Sequence, residues 1–261
     1  MKSNTRKKII IVLIAILLII AIVLGVIIWK SVNSGDFDSD KYKIESGEKN
    51  VTVPNREYDD TVSLIENPIN FDELEKQNSD IYGWITVPNT KIDYPILQSY
   101  AEDDLFYVDH NVNKKKAAAG AIFTQKLNQK DFSDPNTVIY GHNMRNGSMF
   151  RHLHKFKKKD FFEENEYFYI YIRGHKLTYR IFSAYEYDDR HILNSFNFFD
   201  KDVYASYLEY AQNPNSIYKN TREVNITTDD RIVTLSTCLA NNKPHNRYLV
   251  QGVLIKDELT Y

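Results

Sequence analysis

The sequence predicts a mostly β domain that forms a closed or nearly closed barrel with a few peripheral helices, preceded by one transmembrane helix. The chain of 261 residues is rich in aromatic residues (19 Tyr, 14 Phe and 2 Trp) and in isoleucine and valine, all of which favour strands. Seven or eight short strand-like segments fall within about 190 residues, which is typical of a barrel. A long apolar run precedes them near the N-terminus.

Residues 9–29 are predicted to be a transmembrane signal anchor. The run from Ile9 to Ile28 contains no charged residue, and as a helix it is about 30 Å long, which matches the hydrocarbon core of a bilayer. A cleaved signal peptide is the alternative, but its apolar region is usually only about 7–15 residues long. Four basic residues and no acidic one precede the run. Residues 1–8 are therefore expected to be a cytoplasmic tail, with everything after the anchor outside the cell.

The remaining chain divides into a tether and a folded domain. Residues 30–61 are polar and lack periodic apolar positions, which predicts an extracellular tether of low order. Residues 62–261 are predicted to form the folded domain. A capping-box pattern at Asn70 begins a short helix that ends near Gln77. Two further helices are predicted by apolar positions that share one face, in segments 149–156 and 200–211.

The strands are predicted from alternating apolar runs that are bounded by turn residues. The predicted segments are 82–87, 92–97, 119–124, 137–140, 167–172, 177–184, 231–237 and 247–255.

Composition excludes several classes of function. The formal net charge is −2, from 33 basic and 35 acidic side chains, whereas a nucleic-acid-binding domain usually carries a basic excess on one face.

His152 and His154 form a possible metal pair, but no carboxylate or cysteine cluster completes it, and no metal or other cofactor is predicted. The single cysteine cannot form an internal disulfide, so it is either a packed, inert thiol or a reactive one.

Cys238 is the candidate nucleophile because it ends an alternating strand, where the sulfur can reach the rim of a barrel. Arg247 follows nine residues later, at the start of the next strand. If these strands pair in antiparallel fashion, the guanidinium lies beside the thiol. A cation there lowers the pKa of a thiol, and an arginine can also donate to an oxyanion. An inert thiol and a surface arginine are the structural alternatives.

A cysteine enzyme normally adds a histidine, since an ordinary thiol is only a few per cent ionised at neutral pH. His142 lies in a loop directly after the strand 137–140, and His245 lies between Cys238 and Arg247. Spacing leaves both open. His152 and His154 are expected to face solvent, because they lie among lysines in a helical segment.

Several motifs resemble the sortase family, and especially its class B branch. Thr234-Leu-Ser-Thr-Cys238 followed by Arg247 is similar to the family's nucleophile signature, and Tyr140-Gly-His-Asn-Met144 is similar to its histidine segment. The segments 83–96 and 147–150 also resemble class B members. The resemblance covers about residues 80–255 and selects His142 over His245.

The resemblance implies an eight-stranded barrel and a cysteine transpeptidase on the outer face of a Gram-positive cell. Cys238 would attack the Thr–Gly bond of a C-terminal sorting motif on a secreted protein, and a peptidoglycan amine would resolve the acyl-enzyme. His142 would act as acid and base, and Arg247 would stabilise the oxyanion. Ser236, Thr237 and the backbone N–H of Leu239 would contact the substrate or the oxyanion.

Other functions stay open on the sequence. A pilin-polymerising sortase would use a lysine amine, an ordinary cysteine hydrolase would use water, and a surface binding module would carry an inert cysteine. The sequence also departs from the class B pattern between Cys238 and Arg247, where acidic residues are common and this chain has Leu-Ala-Asn-Asn-Lys-Pro-His-Asn.

Overall fold

The structure, a computed structural model, describes residues 2–33, 37–44, 51–54, 61–239 and 246–261. It begins with a long helix, α1 (Lys2–Asn33). The stretch Ile10–Ile27 of this helix has a mean hydropathy of 3.7, and none of it is buried against the rest of the protein. Within the described residues, α1 is the one helix whose length and composition suit a membrane span.

A small hairpin and one capped helix precede the barrel. Strands β1 (Val51–Pro54) and β2 (Thr61–Leu64) pair with each other in antiparallel fashion. The helix α2 (Phe71–Gln77) has the predicted bounds. Its predicted cap is also present, because the side-chain oxygen of Asn70 accepts a hydrogen bond from the N–H of Glu73 at 3.1 Å.

In the described part of the chain, nine further strands form one sheet, and eight of them close into a barrel. They are β3 (Ile81–Thr86), β4 (Asp93–Leu97), β5 (Ile122–Phe123), β6 (Asn136–Tyr140), β7 (Tyr167–Ile172), β8 (His175–Asp188), β9 (Lys219–Thr221), β10 (Ile232–Cys238) and β11 (Asn246–Leu259). Around the barrel the order is β11-β10-β6-β5-β4-β3-β7-β8, and β8 pairs with β11 to close it. The short β9 pairs only with β8. The predicted eight-stranded closed barrel is confirmed.

Closure depends on the two longest strands, β8 and β11, which pair from Asn246–Asp188 to Leu259–His175. Two register shifts interrupt this ladder, one of them at Gly252. A Cβ atom at Gly252 would lie 2.5 Å from the ring of Phe168, so only glycine lets the strand approach the core so closely. Such bulges bend a strand and increase its twist, which is what curving a sheet into a barrel requires.

Helices cover parts of the outside of the barrel. The predicted segment after Ser148 forms a 3-10 helix (Phe150–Lys157) that is followed by α3 (Lys159–Glu164). After α4 (Ile192–Ser195), helix α5 (Lys201–Gln212) begins at Asp200, whose side chain caps it. The buried face of α5 packs against the outer surface of the barrel through Tyr204, Tyr207, Leu208 and Ala211. Several strands are therefore buried on both faces.

The segment 37–44 differs from the tether of low order that the sequence predicts. Tyr42 is 5% exposed, and the ring of Phe37 stacks on it with centroids 5.3 Å apart. Phe37 also contacts Trp84 of β3, and the carbonyl oxygen of Tyr42 accepts a hydrogen bond from the N–H of Asn70 at 2.9 Å. These two aromatic side chains help to hold a largely polar segment on the barrel, because burying large apolar surface offsets the cost of ordering a few residues.

Removing this segment is expected to destabilise the domain more than removing the helix before it. A protein that begins at residue 34 should be soluble and folded, since none of the apolar stretch Ile10–Ile27 of α1 is buried against the rest of the described residues. A protein that begins at residue 45 loses the buried Tyr42, which costs about 2–3 kcal/mol and lowers Tm by roughly 4–12 °C. Thermal unfolding by circular dichroism measures the difference. Equal Tm values would mean that residues 37–44 add nothing to stability.

Candidate active site

The candidate nucleophile and the candidate arginine lie opposite each other on neighbouring strands. Cys238 ends β10 and pairs with Arg247, the second residue of β11. The N–H of Leu239 donates to the carbonyl oxygen of Asn246 at 3.2 Å, so Cys238 and Arg247 form a pair without mutual hydrogen bonds. In such pairs the Cα atoms are about 4.5 Å apart and the side chains leave the same face. The predicted strand pairing is therefore confirmed.

His142 reaches the same rim of the barrel from β6, which runs parallel to β10. Tyr140 pairs with Ser236, so the residues that follow each strand emerge together. The N–H of Gly141 donates to the carbonyl oxygen of Ser236 at 3.1 Å. A Cβ atom at Gly141 would lie within 2.5 Å of Ile122, so only glycine allows the chain to turn there.

The ring of His142 is oriented by the chain that precedes β5. Its Nε2 lies 2.7 Å from the carbonyl oxygen of Val108, and because a carbonyl only accepts, Nε2 carries the proton. Val108 ends a 3-10 helix (Phe106–Val108) that Gly120 approaches closely. Gly120 has φ of +57°, and a Cβ atom there would lie 2.5 Å from the Val108 oxygen. This contact places a proton on Nε2, so Nδ1 is the nitrogen that can take up or release a proton.

Cys238, His142 and Arg247 line one cleft of about 240 Å³. The cleft is also lined by Ser236, Thr237, Leu105, Val108, Gln125, Tyr140, Gly141 and the segment 187–192. Cys238 is partly exposed there, whereas the side chains of Ser236 and Thr237 are almost fully buried. Five of the six predicted site residues therefore come together.

Leu239 is the exception among the predicted residues. Its side chain is 7% exposed and belongs to the barrel core rather than to the cleft. Its N–H, the group expected to bind the oxyanion, is already used in the ladder through the bond to Asn246. The rival His245 lies outside the described residues.

The segment 187–192 places acidic and basic groups at the cleft that the sequence did not single out. Arg190 donates to both carboxylate oxygens of Asp188, at 2.6 to 3.0 Å, and this pairing lowers the pKa of Asp188. No motif in the sequence indicates that the segment 187–192 belongs to a site. It reaches the cleft because β8 extends to Asp188, four residues beyond its predicted end.

His154 and Asn143 contact Cys238, and sequence reasoning missed both. The expectation that His154 faces solvent is wrong, since its ring stacks on Tyr248 with centroids 5.1 Å apart. Its Nε2 lies 3.1 Å from the carbonyl oxygen of Cys238. Burial lowers the pKa of His154 to about 4. His152 is also half-buried, and its Nδ1 accepts from the N–H of Lys91 at 2.9 Å.

In the described part of the chain, no three His, Cys, Asp or Glu side chains lie close enough to hold a metal ion. What the cleft offers is a thiol, an imidazole and a guanidinium, all at the rim of a closed barrel. This combination defines a class of enzymes in which a cysteine forms a covalent acyl intermediate.

Comparisons with known proteins give the family. A family model described as the sortase domain matches residues 85–255. Sortase B of Listeria monocytogenes is 38% identical over 184 residues, which cover 70% of this chain and 73% of that protein. The crystal structure of Clostridium perfringens sortase B is similar with a TM-score of 0.64 and 35% identity, covering 71% of this chain and all of that one. A Staphylococcus aureus sortase B–substrate complex gives a TM-score of 0.61 and 29% identity, covering 72% and 85%. The chain therefore belongs to the sortase family of cysteine transpeptidases.

Proposed function

We propose that this sortase is anchored in the membrane through residues 9–29, cleaves a C-terminal sorting motif of secreted proteins at a Thr–Gly bond, and joins the product to a peptidoglycan amine. The observation that carries the proposal is the single cleft that contains Cys238, His142 and Arg247. The similarity to sortase B proteins supports it, including one solved as a substrate complex.

Cys238 and His142 are proposed to share one proton during the reaction. The Sγ atom of Cys238 attacks the scissile carbonyl, and Nδ1 of His142 holds the thiol proton because Nε2–H is bound to the Val108 carbonyl. The imidazolium then gives that proton to the leaving amine as the C–N bond breaks and a thioester remains. The acceptor amine attacks the thioester, its proton returns through His142, and the thiolate is released.

Arg247 is proposed to stabilise the tetrahedral oxyanion. It lies directly across the ladder from Cys238, so its guanidinium is within reach of an oxygen on the carbon that the sulfur attacks. The N–H of Leu239, an alternative donor, is already bound to Asn246. Donors that are held in place before the reaction stabilise developing charge without having to reorganise.

The chain is proposed to be a single-pass membrane protein. Residues 1–8 would stay in the cytoplasm as a basic tail, and the barrel would face the cell wall, as the positive-inside rule requires. Within the proposed tether of residues 30–61, the segment 37–44 docks on the barrel. The catalytic domain, residues 62–261, would then stand close to the membrane surface, where secreted chains emerge.

A peptide-library assay tests the proposed function. The full-length protein in detergent is incubated with a library of C-terminal sorting peptides, with and without an oligoglycine amine or a peptidoglycan fragment. We expect cleavage after threonine, a thioester on Cys238 detectable by mass spectrometry, and product joined to the amine when one is present. Products formed only with water would identify a hydrolase, and transfer only to a lysine side chain would identify a pilin polymerase.

Replacing Arg247 with lysine should lower turnover by about 10²–10³-fold even though the charge is kept. A planar guanidinium donates at a fixed distance and direction, which a flexible ammonium does not reproduce. The rate of alkylation of Cys238 by iodoacetamide should stay near that of the wild type. The control is Arg173→Lys, an exposed arginine that pairs with Asp72 and Glu75 of α2. A parallel fall in alkylation and turnover would instead assign Arg247 to thiolate stabilisation.

A further inference from the structure

The carbonyl oxygen of Cys238 accepts hydrogen bonds from two side chains. Nδ2 of Asn143 donates to it at 3.0 Å, and Nε2 of His154 donates at 3.1 Å. The two donors come from different elements, the loop after β6 and the 3-10 helix Phe150–Lys157. Both bonds converge on the peptide group of the proposed nucleophile.

The geometry of the sheet explains why this oxygen needs side-chain donors. Because Cys238 and Arg247 form a pair without mutual hydrogen bonds, the carbonyl of Cys238 points away from β11 and towards β6. The last rung between β6 and β10 is the bond from the N–H of Gly141 to the Ser236 oxygen. Beyond it the chain turns back, with the N–H of Phe150 bound to the His142 oxygen at 2.9 Å. The side chains of Asn143 and His154 donate to the Cys238 oxygen in place of the next backbone N–H that a longer β6 would supply.

Asn143 connects the nucleophile to the segment that carries His142. Its Oδ1 accepts a hydrogen bond from Arg151 at 2.9 Å, which orients the amide so that Nδ2 faces Cys238. Since Asn143 is the next residue after His142, a shift of the Cys238 peptide relative to this loop would break the bond. The distance between the two proposed catalytic residues is thereby restrained through their backbones.

His154 is a donor of fixed tautomer. A carbonyl only accepts, so Nε2 carries the proton, and the stacking on Tyr248 fixes the plane of the ring. Its pKa is lowered to about 4, mainly by burial and further by Lys157 and Arg151, while the bond to the Cys238 carbonyl and the nearby Glu186 act in the opposite direction. The ring is therefore neutral at the pH outside a cell, and the donated bond does not depend on protonation in that range.

We propose that Asn143 and His154 are positioning residues of this sortase, which hold the Cys238 peptide so that Sγ stays aligned with His142 and Arg247. This inference rests on the proposed function for its kinetic consequences. A misplacement of about 1 Å in a reacting group can cost about 10²-fold in rate. Losing the two hydrogen bonds that hold the Cys238 peptide should therefore lower the rate of the reaction.

The test compares two variants of His154 in the full-length protein in detergent. His154→Phe keeps a ring to stack on Tyr248 but has no donor, whereas His154→Gln supplies an N–H at nearly the same reach. We expect His154→Phe to lower kcat by about 10-fold to 100-fold with KM within about twofold, and to slow iodoacetamide alkylation of Cys238. His154→Gln should recover most of both rates. Wild-type kcat in His154→Phe, or equal losses in the two variants, would overturn the proposal.

A second variant tests whether the two donors act on one oxygen. Asn143→Leu removes the other donor at similar size, and Asn143→Leu/His154→Phe removes both. Because residues that share a partner couple, the double loss should differ from the product of the single losses by more than threefold, whereas independent sites multiply within about twofold. Independent losses would overturn the shared-carbonyl assignment. If the wild type transferred no peptide, the proposed function would fail. The positioning role would still be tested, because alkylation of Cys238 needs no peptide substrate.

Discussion

Replacing Cys238 with alanine is expected to abolish peptide cleavage and amine transfer while leaving the fold intact. Cys238 is the single cysteine of the chain, so no other thiol can form the acyl intermediate. Removing the nucleophile of a comparable covalent enzyme costs on the order of 10⁶-fold in turnover. The side chain ends a strand at the cleft and is partly exposed, so its loss removes little core packing.

The measurement needs both activity and structure on one preparation. Mass spectrometry after incubation with a sorting peptide should show a thioester adduct on the wild type and none on Cys238→Ala, and Tm should differ by no more than about 3 °C, the equivalent of about 1 kcal/mol. Wild-type protein treated with iodoacetamide is the matched control, since it keeps the native sequence and loses only the thiol. Transfer activity in either sample would exclude Cys238 as the nucleophile.

The barrel was predictable because each strand has its own alternating apolar pattern, which can be read from a short stretch of sequence. All eight predicted strands are present, and Tyr167–Ile172 has the predicted bounds. The differences lie at the ends, where pairing rather than pattern decides. Strand β8 extends beyond 177–184 at both ends because β11 lies beside it along that whole length. Conversely, only Ile122 and Phe123 of the predicted 119–124 form strand β5, since Gly120 instead makes a close turn against the end of the 3-10 helix at Val108.

The site was predictable to the extent that it follows from strand pairing. The nine-residue spacing of Cys238 and Arg247 gives an antiparallel pair, and the position of His142 after a strand gives the same rim. His154 could not be found in this way. It lies in a helix rich in lysine, a pattern that indicates a solvated face, but its ring is half-buried because it stacks on Tyr248. The docking of Phe37 and Tyr42 also depends on a distant contact, since Phe37 stacks on Tyr42 and contacts Trp84, which is more than forty residues away in the chain.

Replacing His142 with alanine is expected to lower turnover by about 10²–10⁴-fold, the usual contribution of a positioned general acid and base. In the proposed mechanism, Nε2 is bound to the Val108 oxygen, so Nδ1 would exchange the proton with Cys238 and the leaving amine. Steady-state kinetics of His245→Ala provide the comparison that the sequence left open, and that variant should lose much less. His175→Ala is the control, since this partly exposed histidine begins β8 and pairs with Asp257 of β11, away from the cleft. A larger loss of turnover in His245→Ala than in His142→Ala would assign the proton transfer to His245. A full loss of Cys238 alkylation in His142→Ala alone would mean that His142 also promotes ionisation of the thiol.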